Sequence, residues 1–182
     1  MAKGDRDAAV NEFVELNKTL NLTVHRRALL CALIKEEDTV NLQRVVDITT
    51  ERYGEVSSLY DLIECFLLLG QYQQVRKLID TPGLRYREDM VKKVCNSLVG
   101  NNNLEALDKF VSFSKSIFGC DREFLYRTLL GAHKRDADKV MEIWLLMQEE
   151  GVGATRSLKK LIRDACVDAG KDDPFAVNRA QN

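Results

Sequence analysis

The segment YRTLLGAHKRDADKVMEIWLLMQEEG, residues 126–151, decides how this chain folds. Tyr126, Leu129, Leu130 and His133 recur at helical spacing, and so do Val140, Ile143, Trp144 and Met147. A short polar turn separates the two runs, and Gly151 is a natural C-terminal stop. Two helices this short cannot bury their apolar faces alone, so the chain must supply neighbours of the same kind.

It does supply them. The second-helix pattern Ala137, Val140, Ile143, Trp144 is echoed upstream by Leu104, Leu107, Phe110, Val111. Tyr72, Val75, Leu78, Ile79 and Leu42, Val45, Ile48, Thr49 repeat it again. Successive copies start 30, 32 and 33 residues apart, at positions 42, 72, 104 and 137. A further apolar helical segment precedes each, at 29–34, 59–69, 90–99 and 125–133. The breaks between them carry turn chemistry: Gly54, Gly70, Thr81-Pro82-Gly83, Gly100-Asn101-Asn102-Asn103 and Gly119. Two helices per period of about 30–35 residues is the signature of an α-solenoid. Four copies in phase, each with its breaker, favour that reading over an irregular helical bundle. The fold class is therefore all-α, an α-solenoid of antiparallel helix pairs with about ten helices.

The ends fit the same scheme. Residues 9–20 carry Val10, Phe13, Val14 and Leu20 on one face and read as a second helix without its first. Residues 154–169 carry Leu158, Leu161, Ile162, Ala165 and Cys166 on one face and read as a first helix without its second. The expected organisation is a loose start over 1–7, opening with Met1-Ala2-Lys3-Gly4 like an added initiation segment, then one solenoid over 8–170. Its repeats lie near 23–54, 56–84, 86–119 and 121–152, and a flexible tail of 171–182 follows from Asp172-Asp173-Pro174. An array that starts and stops in mid-repeat suggests a piece of a longer solenoid, or equally its capped C-terminal end.

Composition narrows the function. The 182 residues are 45% apolar and 30% charged, ordinary for a globular protein. A net charge of −1 gives no global field for nucleic acid or an anionic membrane, so any such binding needs a local patch. No apolar run reaches membrane-span length, and no secretory or mitochondrial presequence opens the chain. Five cysteines, odd in number and without a CxxC pair, read as buried free thiols in a reducing compartment. Asn17-Lys18-Thr19 and Asn21-Leu22-Thr23 match the glycosylation pattern by coincidence.

Catalytic chemistry needs convergent groups, and the sequence offers none. His25 and His133 are the only histidines, and neither has partners at metal-ligand spacing. His133 reads as a packed or capping residue, Trp144 as core, and Glu36-Glu37-Asp38 as turn charge. There is no phosphate cradle and no nucleophile elbow. The reading assigns no enzyme activity, cofactor, metal, small-molecule substrate or membrane.

The repeats resemble the pentatricopeptide family. Its pattern of an aromatic, a variable residue, a small residue and two aliphatics appears as Tyr126-Arg127-Thr128-Leu129-Leu130. A second helix follows through Val140-Met141-Glu142-Ile143-Trp144 to Met147 and Gly151, after a turn shorter than the family's usual one. The copy from Leu59 matches through Leu62, Ile63, Gly70, Tyr72, Val75 and Leu78. Copies from Arg26 and Glu88 are more degenerate. None of the four shows the tetratricopeptide set.

The leucine-rich tone is closest to the animal mitochondrial members of the family. That resemblance implies a mitochondrial location and a non-enzymatic RNA-binding or RNA-stabilising module acting in mRNA stability. It also implies single-stranded RNA and a small RNA-recognition-motif protein as partners. The alternative is a protein-interaction scaffold. In the family a residue just after the opening of each first helix faces a base. That maps onto Tyr60, Lys92 and Arg127, where the family prefers Asn, Asp, Ser or Thr. Long basic or aromatic side chains suit phosphate contact or stacking rather than base reading. Two basic clusters add to them: Arg85, Arg87, Lys92 and Lys93, then Arg156, Lys159, Lys160 and Arg163 at i, i+3, i+4, i+7. With Arg127, Lys134 and Arg135, the second cluster would form a positive track.

Overall fold

The computed structural model describes residues 3–20 and 25–176. Among them are ten α-helices and no strand. They are α1 (Lys3–Leu20), α2 (Arg26–Lys35), α3 (Thr39–Tyr53), α4 (Glu55–Leu68), α5 (Tyr72–Ile79), α6 (Glu88–Gly100), α7 (Leu104–Phe113), α8 (Arg122–Ala132), α9 (Ala137–Glu149) and α10 (Arg156–Asp168). Asn21-Leu22-Thr23 and residues 177–182 lie outside the described residues, as does the side chain of Leu20. No described helix is long and apolar enough to cross a membrane.

Local chemistry sets the helix boundaries. Asp38, Asn103 and Asp136 each cap a second helix, accepting from the backbone N–H of Asn41, Ala106 and Lys139 at 3.2, 3.2 and 3.0 Å. The tight turn before the cap needs one left-handed residue. Gly70 supplies it at φ 70°, while Glu37 and Asn102 adopt φ 55° and 53° in the corresponding turns. Joined by such turns, contacting helices run antiparallel.

The chain divides into two compact units. Of the described residues, the first comprises 3–20, 25–94 and 116–118. Its core joins Val10, Phe13 and Val14 of α1 to Leu30, Leu33 and Ile34 of α2, Val45 of α3 and Cys65 of α4. Each fully buried aliphatic side chain contributes about 1.5–3 kcal/mol. Polar contacts set α1 beside α3 in one direction: Asn41 Nδ2 donates to Asp7 (2.7 Å), Arg44 to Asn11 (2.9 Å) and Arg52 to Asn17 (2.9 Å). Asn17, of the glycosylation pattern, is itself buried.

The second unit comprises 95–115 and 119–176 of the described residues. Leu107 and Phe110 of α7, Leu125, Leu129 and Leu130 of α8, Val140, Ile143 and Met147 of α9, and Leu158 and Ile162 of α10 are its buried residues at helical spacing. Arg122 clamps it. Nη2 and Nε donate to Glu150 (2.9 and 3.2 Å), and Nη1 donates to Val111 O (2.7 Å) and Ser114 Oγ (2.6 Å). Residues 171–176 depart from the expected loose tail. Phe175 meets Trp144 edge to face at 5.5 Å between ring centres, so the half-buried indole of α9 is covered from the C-terminal side. All five cysteines are free thiols.

Candidate nucleic-acid interface

The family-like register assigns Tyr60 to an exposed, base-facing position, and the structure corrects this. Helix α4 begins at Glu55, four residues before Leu59, and this turns Tyr60 inward on the face of Ile63 and Leu67. Tyr60 is 1% exposed, and its hydroxyl donates to the Arg85 carbonyl at 3.2 Å. It is a core residue with a satisfied polar tip, out of reach of a nucleobase.

Lys92 and Arg127 are solvent-facing, but each is engaged one turn back along its own helix. Lys92 pairs with Glu88, and Arg127 with Glu123. Lys93 and Arg26 reach the buried carboxylate of Asp61 at 2.9 and 2.8 Å, while Arg27 holds the equally buried Glu64 at 2.7 Å. Arg87 meets Asp89 at 3.3 Å. Most of the first basic cluster therefore neutralises acids within the first unit.

The second cluster divides. Arg163 leaves the anticipated stripe: its Nε donates to Asp173 at 2.7 Å, and its guanidinium lies 5.9 Å from the Phe175 ring centre. Arg156, Lys159 and Lys160 stay exposed on α10. Lys134 and Arg135 occupy the exposed turn between α8 and α9. None of these five cations is ion-paired to any described residue. The structure brings Lys134, Arg135 and Lys160 together around one cleft of about 490 Å³, with Ser157, Asp164 and Asp168. Arg127 does not line it.

The start of α10 differs from the starts of α7, α8 and α9. Helices α7, α8 and α9 each carry an acid in the first turn (Glu105, Glu123 and Asp138), which complements the positive end of the helix dipole. Helix α10 has none there. It opens with Arg156 and continues with Lys159 and Lys160, and Thr155 makes no side-chain cap bond. Cations at a helix N-terminus are unfavourable to the helix by about 0.3–1 kcal/mol each, a cost that an anion there relieves. Lys134, Arg135, Lys160 and the Ser157 hydroxyl line the cleft and can meet an oxyanion there, whereas at the start of α10 Thr155 donates to Glu123 at 3.3 Å. Asp164 and Asp168, one and two turns beyond Lys160, line the same cleft and offset part of its positive charge.

These charges sit in a chain whose whole length has counterparts. It is 30% identical over 179 residues to the "Leucine-rich PPR motif-containing protein, mitochondrial" of Mus musculus, and 34% identical over 179 residues to that of Xenopus tropicalis. The chain is similar to a leucine-rich pentatricopeptide-repeat protein of mitochondria. The protein of that name from Rattus norvegicus is likewise 30% identical over 179 residues. Each alignment takes in 97% of this chain and 13% of the relative, so the chain spans about an eighth of the length of the relatives it matches. No family model matches the chain. The likeness to these leucine-rich pentatricopeptide proteins supports a mitochondrial location and fits the helix pairs.

The sequence reading found the cations but missed the signal that ranks them. Acids at i−4 of Lys92 and Arg127, and their absence from the first turn of α10, are both visible in the sequence. Arg163 was not separable in that way, because Asp173 approaches it through the folded-back C-terminal segment.

Proposed function

We propose that this chain is an RNA-binding module of a mitochondrial helical-repeat protein that acts in mRNA stability, and that it grips the phosphodiester backbone of single-stranded RNA through its second unit. The observation that carries this reading is the convergence of Lys134, Arg135 and Lys160 on one cleft along α10, with Arg156 and Lys159 exposed nearer the start of that helix. Neutralising phosphates releases counterions and confers affinity without sequence preference. The buried Tyr60 and the paired Lys92 and Arg127 leave no base-reading set on the first helices, which is consistent with backbone contact.

Combined substitution of Lys134, Arg135 and Lys160 by Ala tests the reading. It should weaken binding at least tenfold for homopolymeric and mixed single-stranded RNA alike, measured by fluorescence anisotropy at low salt. Unchanged affinity would refute it. A second reading, a protein-interaction scaffold, is favoured by a different feature, an apolar groove of about 420 Å³ between α1 and α2 lined by Ala9, Phe13, Leu16, Ala28, Leu29 and Ala32.

A further inference from the structure

Two of the five thiols face each other across α2 and α4. Cys65 of α4 is fully buried in the core cluster of the first unit, and Cys31 of α2 packs against that cluster, half-buried. Cys65 Sγ donates to the Arg27 carbonyl at 3.8 Å. In an α-helix that carbonyl also accepts from the N–H four residues on, here that of Cys31. Cys65 therefore reaches the turn of α2 that carries Cys31, and the two thiols lie within hydrogen-bonding reach of each other. Burial pushes up Cys95, Cys120 and Cys166, none of which hydrogen-bonds to a second thiol among the described residues.

The surroundings give the two sulfurs different roles. The Cys31 thiol is held below its ordinary value, first by its hydrogen bond with Cys65 and then by the Arg27 charge, against burial and the charge of Glu64. Arg27 is fixed there by Glu64, itself 1% exposed, at 2.7 Å. The Cys65 thiol is pushed up, first by its hydrogen bond to Cys31 and then by burial. Cys31 is thus the accessible nucleophile, because the thiolate is the reactive form. Cys65 holds its proton and has no direct path to solvent.

We infer that Cys31 and Cys65 form a dithiol site that reacts with hydrogen peroxide and closes to a reversible disulfide between α2 and α4. In the first step the Cys31 thiolate attacks one peroxide oxygen. The S–O bond forms as the O–O bond breaks, and the departing hydroxide takes up a proton and leaves as water. Sulfur is oxidised to a sulfenic acid and the peroxide is reduced. The negative charge beside Cys65 is now gone. In the second step the Cys65 sulfur attacks the Cys31 sulfur. The S–S bond forms as the S–O bond breaks, and the leaving hydroxide carries off the Cys65 proton as a second water. A thiol reductant restores both thiols by exchange. This inference is independent of the RNA reading, since both residues lie in the first unit and the phosphate cleft in the second.

The test exposes the fully reduced 182-residue chain to equimolar hydrogen peroxide at neutral pH, alkylates the remaining thiols and maps the peptides by mass spectrometry. Cys31 should be found joined to Cys65 within single chains, with the other three thiols still free. The bridge should form about tenfold faster than Cys120 is oxidised, and dithiothreitol should return all five thiols. Cys65→Ala should stop the reaction at the Cys31 sulfenic acid, which dimedone traps, and Cys31→Ala should abolish both adduct and bridge. The wild-type map decides the matter even if a variant does not fold. Cys31 and Cys65 both left free, a bridge between two chains, or earlier oxidation of Cys120 would overturn the proposal.

Discussion

At Glu37 the backbone holds φ at 55°, a region that costs an L-residue with a Cβ about 1–2 kcal/mol. Gly70 does the same work in the next turn without that strain. Glu37→Gly should therefore stabilise the first unit by about 1 kcal/mol, less than the full strain because glycine loses more freedom on folding. Urea unfolding checks this through a rise in midpoint at constant slope. Arg122 and Glu150 make the opposite case. Burial raises the Glu150 carboxyl, but bonds from Lys115, Tyr126 and Arg122 outweigh it and hold the group below the ordinary glutamate value. A depressed carboxylate contributes stability above its unfolded value, and that contribution is lost as pH falls through its folded value. The second unit should thus lose stability on acidification below about pH 4.5, the ordinary glutamate value. Arg122→Ala should cost about 3 kcal/mol and flatten that acid limb in a pH series of unfolding curves. The thiols differ in the same physical terms. Burial pushes Cys95 up to about 12, whereas the half-buried Cys31 is lowered by its hydrogen bond with Cys65 and by Arg27. A maleimide titration of the native protein at neutral pH should label Cys31 first and leave Cys95 intact until unfolding.

Among the elements, α10 has a charge pattern that runs against its own stability. Lys159→Glu puts an acid near the positive end of the dipole and should raise thermal stability slightly, by about 0.5 kcal/mol. The same change should lower RNA affinity. The elements also show what was legible in the chain and what was not. Copies spaced by 30 to 33 residues gave helix order and pairing, because periodicity and turn residues act locally. Tyr60 was misplaced because the helix starts earlier than the repeat pattern implies. The clamp of Arg122 on Glu150, 28 residues apart, and the fold-back of Phe175 onto Trp144 depend on tertiary contact, which no local pattern encodes.

For the molecule as a whole, a net charge of −1 means that attraction to RNA cannot come from bulk charge and must fade quickly with salt once local cations are screened. Within the first unit most of the basic cluster is spent on buried or neighbouring carboxylates. Within the second, Lys109, Lys134, Arg135, Arg156, Lys159 and Lys160 make no ion pair with any described residue, and three of them share one cleft. The central claim is that those three hold phosphates. Its most direct measurement is the slope of log K against log salt for single-stranded RNA, wild type against the combined Lys134, Arg135 and Lys160 to Ala variant. Each lost phosphate contact should reduce the slope by about 0.7, so the variant should fall short of wild type by about 2, equally for every RNA sequence tried. An unchanged slope, or a loss confined to particular sequences, would contradict the account.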